Sequence, residues 1–270
     1  MAETAASPWI VKLGGSVVTR KREEGKLRPK VLARLSEEIA SAPRPLVVLH
    51  GAGSFGHVGA DRAGLADPPT PDRSPERRRR AAALVAGSVR GLHLAVLRGL
   101  LSAGVPAYSV PVGATALSRA GTLERFEERP FVAALERGLV PVCFGDVVPD
   151  TDWGFSILSA DTIALRLARP LAARKVVFVS DVDGLLEYPT GGRGRPRVIE
   201  RLDAHALSSL LPRPGAPDVT GGIRGKLEVV LALAREGVDA GIISGLRHGA
   251  LARALSGEEV HGSWAGPSFR

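Results

Sequence analysis

Short apolar runs that end in glycine recur along this chain, and they constrain its fold more than any other feature. Trp9 to Leu13 runs into Gly14-Gly15-Ser16, and Leu139 to Phe144 into Gly145-Asp146. Leu46 to His50 runs into the glycine-rich stretch Gly51 to His57, and Lys175 to Ser180 into Asp181-Val182-Asp183-Gly184. Apolar runs this short, bounded by turn residues, read as buried strands. Ala107 to Val110 and Ala240 to Ser244 read as further strands, and Glu259 to Trp264 as an edge strand. Between them the apolar spacing becomes helical. Val31, Leu32, Leu35 and Ile39 follow Pro29; Val85, Val89, Leu92, Val96 and Leu100 follow Ala81 and stop at Gly104; Leu227, Val230, Leu231 and Ala234 stop at Gly237. Phe131 to Arg137 and Leu251 to Leu255 predict shorter helices. Strands alternating with helices predict an α/β domain, with a largely parallel sheet between helical layers. Such sheets bind ligands at the carboxyl ends of their strands. The glycine turns all fall there.

Each turn has its own chemistry. Gly51, Gly53 and Gly56 let the backbone bend sharply and present bare N–H groups, a nest suited to phosphate or carboxylate. His57 closes that stretch and can add a charge-assisted hydrogen bond; a tight turn with a satisfied loop histidine is the competing reading. Lys12, inside an apolar strand, requires a charged partner or a route to water for its ammonium group. Ser159 can cap a helix whose first turn holds Asp161, so that carboxylate has a capping role open to it besides a catalytic one. A second glycine turn, Asp218 to Lys226, leads into the helix at Leu227. Ser16 to Lys26 reads as a basic loop, Ala60 to Ser74 as a mobile loop or lid, and Pro189 to Pro196 as a hairpin tip.

Composition narrows the function classes. The 270 residues are 44% hydrophobic and 24% charged, which suits a globular protein of one large domain or two closely packed lobes. No run approaches the roughly 20 apolar residues that span a bilayer, and Met1 to Pro8 lacks the order of a signal peptide. The single cysteine, Cys143, lies in an apolar run and reads as a buried small hydrophobe. With no intrachain disulfide possible, a cytoplasmic location is expected. The net charge of +8 admits nucleic acid, a membrane surface or small anions as partners. With aromatics at 4%, stacking platforms for single strands are scarce. Arg77 to Arg80 open a helical pattern and read as solvated surface, so neither nucleic acid nor membrane is expected as a partner. His93 reads as a packing or surface residue.

Lys12, the Gly51 to His57 stretch, Asp161 and Thr220-Gly221-Gly222 with Lys226 share one expected sheet edge. Lysines, amide nests and a carboxylate are what phosphoryl transfer needs, since its catalysis is chiefly positioning and electrostatic stabilisation. No Walker lysine motif and no protein-kinase catalytic loop is present. Ile10 to Lys21, Gly51 to His57, Gly145-Asp146, Ser159-Ala160-Asp161, Ser180 to Gly184 and Asp218 to Gly222 together resemble the amino acid kinase superfamily, and within it the isopentenyl phosphate kinase branch. The sequence departs from that pattern at Ala52, Val58, Ala160 and Ser244.

The resemblance implies an αβα sandwich, with an acceptor-binding lobe over roughly residues 1–170 and a nucleotide-binding lobe over 171–270, usually as a homodimer. It implies ATP, accompanied by Mg²⁺ without dedicated protein ligands, and isopentenyl phosphate as acceptor. Lys12 and Lys226 would flank the travelling phosphoryl group, held by Asp161. Gly14, Gly15, Ser16 and Lys21 would meet ATP phosphates, and Asp181, Asp183, Gly184, Thr220 and Gly222 would line the nucleotide side. Gly51, Ala52, Gly53, Gly56 and His57 would bind the acceptor phosphate. The helix at 81–103 and the segment 107–135 are candidate walls for the five-carbon tail. Fosfomycin, UMP and acetylglutamate remain alternative acceptors, and a silent ligand sensor or an Arg77–Arg80 nucleic-acid binder remain non-enzymatic readings.

Overall fold

The computed structural model of the chain describes residues 7–21, 23–70, 74–187, 196–203, 206 and 220–269. In chain order its strands are β1 (Trp9–Leu13), β2 (Leu46–His50), β3 (Ala107–Ser109), β4 (Ala116–Arg119), β5 (Thr122–Phe126), β6 (Val140–Phe144), β7 (Asp146–Asp150), β8 (Gly154–Leu158), β9 (Lys175–Ser180), β10 (Leu186–Glu187), β11 (Arg197–Val198), β12 (Asp239–Ser244) and β13 (Gly262–Ala265). The helices are α1 (Gly15–Val18), α2 (Pro29–Ala40), α3 (Gly53–Ala63), α4 (Pro75–Ser102), α5 (Arg129–Leu135), α6 (Ala160–Ala168), α7 (Thr220–Arg235) and α8 (Ala250–Ser256).

β1 is central because every residue in it is buried. A strand covered on both faces must pair on both edges, and β1 runs parallel to β2 on one side and to β9 on the other. The full order is β13-β12-β9-β1-β2-β6-β3, parallel throughout except for antiparallel β13 at one edge. Successive side chains leave opposite faces. Ile10 therefore packs with Val47, Phe178, Ile163 of α6 and Leu227 of α7 in one core. Trp9, Val11 and Leu13 pack with Leu35 of α2, Val96 of α4 and Leu251 of α8 in the other. This is the αβα arrangement expected. A smaller sheet, β5-β4-β7-β8, and the β10–β11 ribbon extend from it. The hairpin tip expected at 189–196 lies almost entirely outside the described residues, but β10 and β11 pair antiparallel on either side of it.

The structure corrects four local expectations. The long helix starts at Pro75, not Ala81, because Pro75 suits the first turn and Ser74 accepts from the Arg77 amide. Arg77, Arg79 and Arg80 do face solvent, but Arg78 turns inward. It donates to the carbonyls of Gly64, Asp67 and Phe155, so its guanidinium is a buried strut and not solvated surface. The expected loop from Ala60 is helical as far as Ala63, where Gly64 ends α3 in the left-handed conformation. The basic loop expected from Ser16 begins as the short helix α1. Finally, α4 is long and apolar enough by composition to cross a bilayer. Its Val89, Leu92, Val96 and Leu100 are buried within the protein, which marks it as a core helix.

One buried ion pair fastens α2 to the C-terminal part of the sheet. Glu38 accepts from the backbone N–H groups of Gly249, Leu251 and Ala252 at the start of α8, and it pairs with Arg34. Arg34 also donates to the Gly245 carbonyl just beyond β12. Removing one member strands the other charge. Glu38→Ala is expected to lower the unfolding free energy by about 3 kcal/mol; a urea midpoint equal to that of the unaltered protein would show that the pair carries no stability.

Candidate active site

The buried lysine of β1 has its charged partner. Lys12 Nζ lies 2.7 Å from Asp161 Oδ1, and Lys226 Nζ donates to Asp161 Oδ2 at 2.8 Å. The three side chains are only 9%, 19% and 12% exposed for Lys12, Asp161 and Lys226. Asp161 stands in the first turn of α6, where Ser159 caps the helix by accepting from the Thr162 amide at 3.0 Å. Capping belongs to Ser159, which frees Asp161 to bridge the lysines. Burial works against its charge, yet Lys12 and then Lys226 hold its carboxyl down at about 2. Burial and repulsion from Lys12 bring Lys226 down to about 8. The cluster carries one net positive charge in a partly dry site.

Two glycine turns meet beside it. A Cβ at Gly15 would stand 2.2 Å from Gly53 N, and one at Gly51 would stand 2.9 Å from Gly15 N. Gly53 takes a φ of +50°, and a Cβ there would meet Thr19 Oγ1 at 2.3 Å. Thr19 ties the turns together, donating to the Gly15 carbonyl at 2.7 Å and accepting from the Ser54 amide at 3.0 Å. The Ala52 N–H has no backbone acceptor among the described residues.

The stretch from Gly51 to His57 is not the open loop expected. Only Gly51 and Ala52 remain outside α3, and His57 projects from that helix. The later glycines serve packing: a Cβ at Gly56 would come within 3.0 Å of Val89, and one at Gly59 within 2.9 Å of Val85, both on α4. His57 is exposed and lines the same cavity as the lysines, but it makes no hydrogen bond or ion pair to them.

That cavity has a volume of about 940 Å³. Gly14, Gly15, Ser16, Lys21, Gly51, Ala52, Gly53, Gly56 and Asp181 also line it. Asp181 accepts from Ser16 Oγ at 2.8 Å and pairs with Lys21 at 2.9 Å. Burial opposes its charge, but those partners draw its carboxyl below the ordinary value. Asp183 and Gly184 stand apart from the cavity. Asp183 pairs with Arg247, and Gly184 is packed against Ser263 and Val198. Thr220 and Gly222 lie in the first turn of α7, while Asp218 and Val219 fall outside the described residues.

The apolar end of the cavity differs from expectation. α4 contributes Val85 and Val89 as anticipated, but the segment 107–135 contributes nothing, and Val147, Ile157 and Leu158 of the smaller sheet take its place. Asp146 was a motif residue without an expected role. Its buried carboxylate pairs with Arg90 at 3.0 Å and lines this end; burial raises its pKa against the pull of Arg90. A carboxylate directly after a buried strand and a lone glycine was the available signal. Among the described residues, no three His, Cys, Asp or Glu side chains gather as a metal cage.

A family model described as the amino acid kinase family matches residues 7–244. The isopentenyl phosphate kinase of Methanothermobacter thermautotrophicus is 36% identical over 94% of this chain and 97% of its own. A solved isopentenyl phosphate kinase superposes with a TM-score of 0.82 at 32% identity, covering 95% of this chain and 99% of the other. A product complex of the Thermoplasma acidophilum enzyme of that name gives 0.78 at 26% identity, over 96% and 100% of the two chains.

The lysine–aspartate bridge makes a signed prediction about stability. Because the folded carboxyl of Asp161 is depressed, its contribution is present above the ordinary value of 3.8 and is lost as pH falls through about 2. Asp161→Asn leaves two ammonium groups facing each other, which should cost about 3 kcal/mol near neutrality. The deficit should shrink as pH rises toward about 8, because Lys226, held at about 8 while Asp161 pulls its pKa up, sheds its proton at lower pH once that carboxylate is gone. Urea titrations at mildly acidic pH and near pH 8 test this; a deficit that does not change between them would show that the lysines are not coupled through Asp161.

Proposed function

The chain belongs to the amino acid kinase family, and we propose that within it this protein phosphorylates isopentenyl phosphate with ATP, a step of isoprenoid biosynthesis. The observation that carries this reading is the Lys12–Asp161–Lys226 bridge, set beside two touching glycine turns in one cavity with an apolar end. The roles divide along that cavity. Gly14, Gly15, Ser16 and Lys21 hold the ATP phosphates, with Asp181 orienting Ser16 and Lys21. Thr220 and Gly222 supply the start of α7 on the nucleotide side, and Asp183 and Gly184 shape that side from outside the cavity. The acceptor phosphate lies against Gly51, Ala52, Gly53, Gly56 and His57, with its tail toward Val85 and Val89. Residues up to about 170 form the acceptor lobe and the remainder the nucleotide lobe.

The chemistry needs little from the protein beyond position and charge. A phosphate monoester, with its second pKa about 6, is already largely dianionic near neutrality. An acceptor oxygen attacks the terminal phosphorus of ATP in line; a new P–O bond forms as the bond to the bridging oxygen breaks, and ADP leaves. No strong general base is required. What must be overcome is repulsion between two anions, and the lysines, the glycine amides and His57 offset it. Mg²⁺ supplies charge neutralisation on the ATP phosphates when bound. It would meet phosphate oxygens and water more than protein, consistent with Asp161 and Asp181 already being engaged by lysines.

The protein is expected to work as a cytoplasmic homodimer. Leu94 and Leu101 on α4 are 47% and 54% exposed, and Tyr108 on the edge strand β3 is exposed as well. Gly87 and Gly91 share that helix face, with open space where a Cβ would stand. Replacing Leu94 and Leu101 together by glutamate should yield monomers in sedimentation; an unchanged mass would place the interface elsewhere.

Purified protein with ATP and Mg²⁺ should use isopentenyl phosphate at a higher kcat/KM than fosfomycin, UMP or acetylglutamate. Absence of isopentenyl diphosphate as a product would sink the reading. Lys226→Ala should lower kcat by on the order of 100-fold with a small change in acceptor KM, since it removes charge stabilisation of the transition state. His57→Ala should raise the acceptor KM selectively. An unaltered kcat/KM in that variant would mean that the acceptor phosphate sits away from α3.

A further inference from the structure

Behind the glycine turn lies a pair of histidines that the reaction does not use. His50, at the end of β2, is fully buried, and His93 projects toward it from α4. His50 Nδ1 is 3.1 Å from the Gly51 carbonyl oxygen, and His50 Nε2 is 3.1 Å from His93 Nδ1. His93 Nε2 is 2.7 Å from Ser109 Oγ on β3. Phe144 packs against both rings, with centroids 5.4 Å from His50 and 4.3 Å from His93.

The proton positions follow from one fact: a carbonyl oxygen can only accept. His50 therefore carries its proton on Nδ1 and donates to Gly51. As a neutral imidazole it then has a bare Nε2, which accepts from His93 Nδ1–H. His93 Nε2 is bare in turn and accepts from the Ser109 hydroxyl. Neutrality is supported on each ring. Burial, His93 and Lys12 push His50 down to about 3, against the pull of the Gly51 bond, and burial with Arg90 pushes His93 down to about 4.

Gly51 is held through both of its peptides, since its N–H donates to the Leu13 carbonyl at 2.9 Å while its carbonyl faces His50. The peptide from Gly51 to Ala52 is planar and trans, so its C=O and N–H point in opposite directions. Holding the carbonyl toward the buried His50 ring aims the Ala52 N–H the other way. Gly51 and Ala52 line the cavity and His50 does not, and that N–H lacks a backbone acceptor among the described residues.

We propose that His50 is a positioning residue for the acceptor: its Nδ1–H holds the Gly51 carbonyl so that the Ala52 N–H faces the acceptor phosphate, and the His93–Ser109 chain holds the ring in register. This rests on the reading of the glycine turn as the acceptor-phosphate site. It assigns the acceptor's anion a fixed backbone donor whose aim is set from the core.

Two substitutions separate positioning from packing. Asparagine places its amide nitrogen near the position of Nδ1, whereas glutamine places its own near Nε2. Both are neutral, polar and smaller than histidine. His50→Asn should keep the acceptor KM within about threefold of the unaltered protein, and His50→Gln should raise it about tenfold, with the KM for ATP unchanged in both. Equal losses in the two variants, or a parallel rise in the ATP KM, would overturn the proposal. A second measurement does not depend on turnover: the Ala52 amide resonance, followed by NMR while inorganic phosphate is added. It should shift in the unaltered protein and in His50→Asn, and stay still in His50→Gln. If no isopentenyl diphosphate forms but this pattern holds, the substrate assignment fails and the positioning role stands. If the diphosphate forms and the Ala52 resonance is indifferent to phosphate in all three proteins, the positioning role fails alone.

Discussion

Two ammonium groups from distant parts of the chain are buried together, and Asp161 makes that possible. Lys12 comes from the central strand, Asp161 from the start of α6 and Lys226 from α7. Without the carboxylate between them, burial would drive protons off the lysines, as the lowered pKa of Lys226 already shows in its presence. With it, the cluster keeps one net positive charge in a site too dry to screen it well. That imbalance is unfavourable in the empty protein and favourable when a polyphosphate arrives. Under the proposed reading, the site stores that positive field where the ATP phosphates would bind.

Close backbone approach is the second requirement, and it explains which glycines matter. Gly15 and Gly53 are in van der Waals contact through main-chain atoms, so neither tolerates a side chain. This brings the turn after β1 against the turn after β2, and with them the two ends of the cavity. A donor and an acceptor phosphate bound at these turns would lie as near as their charges allow. Proximity of this kind converts binding energy into rate. Parallel pairing of β1 with β2 in register, Leu13 opposite His50, is what sets the turns side by side.

Much of this was legible in the sequence. Alternating strands and helices gave the layered sheet, and a lysine inside an apolar strand announced its partner before Asp161 could be chosen over a helix cap. The misreadings share one cause: local composition cannot reveal a tertiary neighbour. Glycine's low helix propensity made Gly51 to His57 look like a loop, but Gly56 and Gly59 exist because α3 presses on Val85 and Val89. Arg78 looked like solvated surface among like residues, yet carbonyls from two separate segments, the turn at 64–67 and β8, claim it. The apolar wall was expected from the segment after 107, where β3 runs along the sheet edge; the smaller sheet, folding back through β7 and β8, supplies it instead. The His50–His93 pair left no sequence signal at all, since the two residues meet only through packing of α4 on β2.

The histidines also show how the site keeps its charge fixed. Six histidines are present in the chain, and the two nearest the core of the acceptor side are held neutral, where protonation would add positive charge beside Lys12 and compete with Asp161 for balance. An imidazole at the ordinary pKa of about 6.5 would make the local field vary across the physiological range. Burial removes that variation, and the hydrogen-bond chain ending on the Gly51 carbonyl turns the pair from a titrating group into a rigid spacer. His57, by contrast, sits exposed on α3 and lines the cavity, where the proposed reading sets it against the acceptor phosphate. Under the proposed reading, the two histidines flanking the same glycines divide by place: His50 holds the turn from the buried end of β2, and His57 faces the cavity from α3.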